Sequence, residues 1–176
     1  PEELSESDQN NIGYQYTDCP LYWISVIYLN FAEAKAEMGS LTQDDLNNSI
    51  NKLQARAGLP AMTTTPDADP ANNMGVSNLI WEIRRCRRCE LIMDNWYRYW
   101  DLIRWHQLDK LDSTKYPNTM LGANVSNVPD CEEATKNGYI DASDAQIRTY
   151  EAKHYFYPIP TTQLTLNKNM KQNPGW

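Results

Sequence analysis

The chain has little positive charge. Its 176 residues include 16 Lys and Arg against 23 Asp and Glu, which gives a net charge of −7. A negative field repels phosphate backbones, and no segment has the density of Lys and Arg that nucleic-acid binding requires. The composition therefore excludes nucleic acid as an expected partner.

Long apolar runs are missing as well. The longest mostly apolar run, residues 22–32, is interrupted by Ser25 and Asn30 and is shorter than the roughly 20 residues that span a bilayer. The chain begins at Pro1 with a polar stretch that has no initiator Met, no basic segment and no apolar leader segment. We expect no membrane span, and we interpret the chain as processed or as a fragment.

The sequence also has few residues and motifs that perform catalysis. It has two histidines, no HExxH, no glycine-rich phosphate loop and no Ser, His and Asp in the order of a triad. Glu90 and Asp94, one helical turn apart, could serve as the acid and base of a glycosidase, but five nearby arginines would lower the pKa that a general acid needs raised. We therefore interpret both carboxylates as counter-ions and predict that the protein is not an enzyme.

Cysteine is scarce, with four residues at Cys19, Cys86, Cys89 and Cys131. Four cysteines are too few to staple a chain of this size, although an even number permits pairing. The Cys86-x-x-Cys89 pair could bind zinc with a histidine, but a structural zinc site would need a second cysteine pair, which is missing. A redox function would require the pair at a helix N-terminus after a strand, whereas this pair is predicted to lie about two turns into a helix. We interpret the pair as small core residues and predict no metal and no cofactor.

Residues 22–58 predict a pair of helices. Apolar residues recur at spacings of three and four, and Gly39 and Gly58 supply left-handed C-caps. Thr42 followed by Asp45 predicts the N-cap of the second helix. The pair has about the length of a tetratricopeptide unit, roughly 34 residues, and such a unit needs neighbours to bury its face. The predicted buried stripes are Ile24, Ile27, Tyr28, Phe31, Ala34 and Met38, and then Leu46, Ile50, Leu53 and Ala57.

The rest of the chain predicts one more helical region among irregular segments. Residues 61–77 are typical of a loop, and residues 78–111 predict a long helix broken at Asp94 and Asn95. Residues 112–176 predict a loop-rich segment with a short helix at 143–149, and a C-terminal tail anchored by its aromatics. The fold class is accordingly all-α, with tetratricopeptide-like helical pairs and long irregular loops.

The stretch "WYRYWDLIRWHQ", residues 96–107, combines aromatic and charged residues. On a helical wheel Trp105 falls on the charged side, beside Asp101, where an indole can stack under a guanidinium or serve as a platform for a sugar. Asp101 is within reach of Arg98 and Arg104, and Asp94 of Arg98. The predicted inward face carries Trp96, Tyr99, Trp100, Leu102, Ile103 and His106.

Four stretches resemble the SusD/RagB family of glycan-binding outer-membrane lipoproteins. They are "YLNFAEAKAEMG" (28–39), "INKLQARAGLP" (50–60), "CRRCELIMDNWYRYWDLIRW" (86–105) and the ending "YFYPIPTTQL" with "QNPGW". The chain departs from the family where it has Trp23 for arginine, Gln54 for arginine, Cys86 for glutamate and Asp94-Asn95 for Glu-Gly. The resemblance covers about residues 17–176 and corresponds to the C-terminal part of a longer family member.

The resemblance implies capture of oligosaccharides at the bacterial cell surface for import through a SusC-like TonB-dependent transporter. It also implies that an N-terminal lipid anchor, absent from this chain, holds the full-length protein in the outer membrane. The shared motif residues Glu90, Asp94, Arg98, Asp101 and Arg104 are expected to be structural. Sugar contacts are expected in loops, where aromatic rings stack on sugar C–H faces. The candidates are Tyr116, Asn118, Asn124 and Tyr139, with Trp105 as the stacking platform. An adaptor that docks a protein partner without binding sugar is the alternative.

Overall fold

The computed structural model describes residues 22–93, 97–129, 135–143 and 146–176. The chain divides into two compact units, the first ending at Ile92 and the second beginning at Met93. Most of the described regular structure is helical, and the predicted all-α class is confirmed. Within the described residues, no helix combines the length and the apolar character that crossing a bilayer requires.

Four helices build the first unit. They are α1 (Ile24–Glu37), α2 (Gln43–Asn47), α3 (Ile50–Arg56) and α4 (Asn78–Glu90). The predicted second helix is therefore two short helices that meet at Ser49. The predicted caps are present: Gly39 and Gly58 have φ of 66° and 68°, and Thr42 and Asp45 form a reciprocal capping box.

The core of the first unit lies where α1 packs against α3 and α4. Leu46, Ile50 and Leu53 are buried as predicted, whereas Ala57 is exposed because it lies just past the end of α3. The buried apolar residues of this unit are Val26, Leu29, Ala32, Leu46, Ile50, Leu53, Met62, Trp81, Ile83, Cys86 and Leu91.

The buried face predicted for α1 was wrong. Ile24, Ile27 and Phe31 are exposed, while Leu29 and Glu33 are buried. The physical reason is that Arg84 of α4 pairs with Glu33, so the side of α1 that carries Glu33 faces inward. A helical wheel shows which side of a single helix is apolar, but it does not show which other helix packs against that side.

The second unit contains short helices and a small sheet. Its α-helices are α5 (Tyr97–Arg104) and α6 (Thr161–Leu166), and its strands are β1 (Leu121–Asn124), β2 (Thr135–Lys136) and β3 (Tyr139–Asp141). Three 3-10 helices span Leu108–Leu111, Pro117–Met120 and Ala152–Tyr155. The strands form an antiparallel sheet in the order β1-β3-β2, which the sequence analysis did not predict.

Two further expectations for this region need correction. The predicted helix at 143–149 is wrong, since residues 146–150 have no regular secondary structure. The helix that starts at Asn78 ends at Glu90, before the predicted break; Asp94 and Asn95 lie outside the described residues.

The face predicted to be buried on α5 was also largely wrong. Leu102 is buried, but Trp100 is 55% exposed and His106 is exposed. The residues that turn inward include Asp101 and Trp105 from the charged side. Arg104 neutralises the Asp101 carboxylate and also covers the Trp105 ring. Trp96 lies outside the described residues.

Candidate functional site

A tight hairpin positions Tyr139 in the second unit. Asn137 and Gly138 join β2 to β3 with φ of 54° and 80°, as a two-residue turn of the Asn-Gly type requires. A Cβ on Gly138 would lie 2.1 Å from Ser126 Oγ, so a larger residue would displace that hydroxyl as well as strain the turn. The Asn-Gly pair was the sequence signal for this hairpin.

The register of the sheet places several side chains on the same face as Tyr139. Lys136 and Asn124 lie directly opposite Tyr139 on the two neighbouring strands, and Leu121 lies opposite Asp141. Opposed residues share a face, as do residues two apart on one strand. Tyr139 is 38% exposed, and Lys136, Asn124 and Asp141 share its face of the sheet.

A cavity of about 210 Å³ adjoins this face of the sheet. We call it the sheet cavity. Leu121, Lys136 and Asp141 line it from the strands, and Ser143 and Gln146 from the segment after β3. These side chains supply hydroxyl, amide, ammonium and carboxylate groups, which can donate to and accept from a polyhydroxylated ligand. The remaining lining residues are Ser113, Thr114, Pro117, Met120 and Ile147.

Asp112 fixes the wall of the sheet cavity. Its Oδ1 accepts hydrogen bonds from Thr114 N and Oγ1, at 2.9 and 2.5 Å, and its Oδ2 accepts one from Tyr150 N at 3.1 Å. The hydrogen bonds from Thr114 and from the Tyr150 amide hold the pKa of Asp112 at about 2. The carboxylate thereby ties residues 146–150 to the loop at 113–114.

None of the four loop residues proposed from the sequence is among the residues that line this cavity, although three of them are next to one that does. Asn124 and Tyr139 share the sheet face that borders it, while Tyr116 and Asn118 flank Pro117, which lines it. Asn118 and Asn124 are exposed. Tyr116 is half-buried, and its hydroxyl accepts a hydrogen bond from Lys110 Nζ at 2.8 Å. Sequence reasoning missed Lys136, Asp141, Ser143 and Gln146, whose convergence depends on the unpredicted sheet.

Trp105 has little surface left for a ligand. Its side chain is 8% exposed, and the guanidinium carbons of Arg104 and Arg98 lie 4.7 and 6.0 Å from its ring. The indole therefore stacks with guanidinium groups, one of the two arrangements expected from the wheel. Trp105 is therefore not suited to contact a sugar.

The shared motif residues form contacts within the scaffold. Glu90 accepts hydrogen bonds from Arg56 at 2.6 and 2.8 Å, so it is a counter-ion as predicted. Its partner lies on α3 and is not one of the arginines near it in sequence. Asp101 pairs with Arg104 Nε at 2.8 Å. Arg98 contributes through the Trp105 ring, and Asp94 lies outside the described residues.

The interpretation of the cysteine pair as two core residues is correct for Cys86 and wrong for Cys89. Cys86 is buried and Cys89 is exposed, and the part of the chain that the structure describes contains no cluster of metal-binding side chains. Burial raises the pKa of the Cys86 thiol to about 11. Its sulfur accepts a hydrogen bond from Gln54 Nε2 at 3.8 Å, so two of the positions where the sequence departs from the family pattern are in contact. Cys19 and Cys131 lie outside the described residues.

Together these features define a mostly helical protein with tetratricopeptide-like helices in one unit and a polar cavity beside a loop-borne sheet in the other. The chain belongs to the SusD family, whose model matches residues 4–176. The resemblance seen in the four sequence stretches is thereby confirmed.

Solved structures agree with this assignment. A SusD-like protein from Bacteroides fragilis is 25% identical, with a TM-score of 0.59 over 86% of this chain and 25% of that chain. The protein BT4246 is 24% identical, with a TM-score of 0.62 over 89% of this chain and 23% of that one. The selenomethionine form of BT4246 is 26% identical, with a TM-score of 0.60 over 92% of this chain and 25% of that one. The chain thus spans about a quarter of the length of these relatives. None of the curated proteins gives a significant match.

Proposed function

We propose that the protein captures oligosaccharides at the bacterial cell surface, without changing them chemically, for import through a SusC-like TonB-dependent transporter. The observation that carries this proposal is an accessible tyrosine beside a cavity lined by hydrogen-bonding side chains, in a chain of the SusD family. Outer-membrane attachment by a lipid anchor in the full-length protein belongs to the same proposal.

The chemistry of the sheet cavity suits a sugar. The face of a pyranose ring exposes C–H groups that stack on an aromatic ring such as Tyr139, while its hydroxyls need donors and acceptors around the rim. Asn124, Lys136 and Gln146 supply donors, and Asp141 supplies an acceptor. No single one of these contacts is strong, so affinity would come from several neighbouring sugar units along a chain.

Binding without hydrolysis is consistent with the carboxylates near the cavity. Glycoside hydrolysis generally uses two carboxyl groups on either side of the scissile bond. Among the described lining residues Asp141 is the one carboxylate, and its Oδ1 already accepts hydrogen bonds from Ser143 N and Oγ at 3.0 and 2.6 Å. It is suited to hold a hydroxyl rather than to transfer a proton.

Native affinity electrophoresis tests the proposal. The chain is run through gels that contain plant, fungal or host polysaccharides, beside the variants Tyr139→Ala, Tyr139→Phe and Tyr22→Ala. We expect at least one polysaccharide to retard the chain, and the retardation to be lost in Tyr139→Ala but kept in Tyr139→Phe, which retains the ring. Tyr22→Ala is the matched control, because Tyr22 is a 79% exposed tyrosine in the first unit. Equal retardation of all variants would refute the role of Tyr139, and no retardation of any would refute glycan capture by this chain.

An adaptor role is the second candidate. It is favoured by the exposed apolar side of α1, which includes Ile24, Ile27 and Phe31 and offers a surface to another protein segment. If Tyr139→Ala abolishes sugar binding and leaves transporter association intact, capture and docking use different residues. If the chain binds the transporter and no sugar, the adaptor role is the correct one.

A further inference from the structure

The second unit contains another cavity, of about 350 Å³, walled by aromatic rings. We call it the aromatic pocket. Tyr99 of α5 lies on one side, and Tyr150, His154, Tyr157 and Trp176 come from the C-terminal segment. This combination was not predicted, since the aromatics of the tail were expected to serve as an anchor.

The rings of the aromatic pocket are held in place by specific contacts. Trp176 Nε1 donates to the carbonyl oxygens of Lys153 and Phe156 at 3.2 and 3.0 Å, and its ring meets His154 edge-on with centroids 5.8 Å apart. The hydroxyls of Tyr99 and Tyr157 lie 3.2 Å apart. The anchoring expected for the tail is therefore present, yet Tyr157 remains 67% exposed and Trp176 46% exposed.

One chain segment lines both cavities. Gln146 and Ile147 line the sheet cavity, and the next three residues, 148–150, line the aromatic pocket. Two anchors fix this segment: Ser113 N donates to Arg148 O at 2.9 Å, and Asp112 Oδ2 accepts from Tyr150 N at 3.1 Å. The two cavities are thus neighbours across a wall that is a few residues thick.

We propose that the aromatic pocket is a second sugar subsite, which binds further units of the same oligosaccharide that the sheet cavity holds. This inference rests on the proposed function. Aromatic walls that include the exposed Tyr157 and Trp176 suit the C–H faces of sugar rings, and the Tyr99 and Tyr157 hydroxyls and the Arg148 guanidinium supply polar contacts at the edge. The volume of the pocket falls in the range of small-molecule sites.

Chain-length dependence of binding tests the second subsite. Isothermal titration uses gluco-, xylo- and manno-oligosaccharide ladders, from disaccharide to octasaccharide, against the chain and the variants Tyr157→Ala, Tyr157→Phe and Tyr139→Ala. With two subsites, affinity rises with length until both are filled. We expect Tyr157→Ala to weaken binding of the long oligosaccharides roughly three- to tenfold, the worth of one aromatic contact, and to leave the short ones unchanged. Tyr157→Phe keeps the ring and should stay within about twofold of the parent chain, while Tyr139→Ala should weaken binding at every length.

A second measurement tests the subsite without relying on the Tyr157→Ala variant, which could fail to fold. The indole N–H signal of Trp176, assigned with a Trp176→Phe variant, should shift when the unsubstituted chain is saturated with a long oligosaccharide and stay unchanged with a short one. Equal affinities of the parent chain and a folded Tyr157→Ala at every length, or an unmoved Trp176 signal, would overturn the second subsite alone. Absence of binding by the parent chain would overturn the proposed function and this inference with it.

Discussion

Arg84 on α4 and Glu33 on α1 form an ion pair that is almost closed to solvent. Arg84 Nε donates to Glu33 Oε1 at 3.2 Å, and the two side chains are 10% and 5% exposed. The same guanidinium reaches Glu37 at 3.0 Å through its terminal nitrogen, and Arg87 donates to Asn30 at 2.8 Å. Two parts of the first unit, the family stretch 28–39 on α1 and the arginines of α4, are therefore neighbours in the core, where they hold helices together.

The first prediction concerns this pair. In Glu33→Ala, the carboxylate seen beside the buried Arg84 is that of Glu37, which is 48% exposed. We expect a loss of about 3 kcal/mol in the free energy of unfolding, because removing one member of a buried pair strands the other charge. Glu37→Ala is the matched control and should cost less than about 1 kcal/mol. Urea unfolding of both variants measures the difference, and equal losses would contradict the assigned burial.

The second prediction compares the two sides of α1. Leu29 is fully buried and Ile27 is 58% exposed, although the sequence pattern favoured the opposite. Leu29→Ala should lower the free energy of unfolding by about 2–5 kcal/mol. Ile27→Lys should change it by less than about 0.5 kcal/mol, and urea unfolding of both variants measures the difference. A large loss of stability in Ile27→Lys would show that the predicted stripe, and not the observed face, is the buried one.

The third prediction concerns Gln54 and Cys86, which occupy positions where the family commonly has arginine and glutamate. Their contact is buried and neutral here. Cys86→Glu should destabilise the chain by about 3–5 kcal/mol, because it buries a carboxylate beside an amide. Adding Gln54→Arg should recover much of that loss by restoring an ion pair. Thermal or urea unfolding of the single and double variants gives the coupling, and strictly additive effects would contradict the contact.

The fourth prediction is a dependence of stability on acid. The pKa of Asp112 is lowered from 3.8 to about 2, so its contribution to stability is present above pH 3.8 and is lost as the pH falls through about 2. Asp45 has a similarly lowered pKa, because of its hydrogen bonds with Thr42, and adds to the same window. Urea unfolding across this range should show a smaller loss in Asp112→Asn than in the parent chain. An identical loss of stability in the parent chain and in Asp112→Asn would show that the acid sensitivity comes from other groups.

Much of the helical architecture could be read from local patterns. The caps at Gly39, Thr42 and Gly58 depend on hydrogen bonds that reach only a few residues along the chain. The residue types at these positions therefore predict the helix ends. The loop at 61–77 followed from its composition, and the family stretches identified the fold as a whole. These features need no knowledge of what lies across the core.

The sequence by itself determined the helical class, the main helix ends and the family. Only the tertiary structure decided which faces of α1 and α5 are buried, because that choice depends on the groups that each helix meets, such as Arg84 of α4 beside Glu33 of α1. It also decided the candidate site. The Asn-Gly turn signals the pairing of Lys136 with Tyr139. Asn124, however, meets Tyr139 through pairing between strands that are separated along the chain, and a pattern within one segment carries no information about such a register.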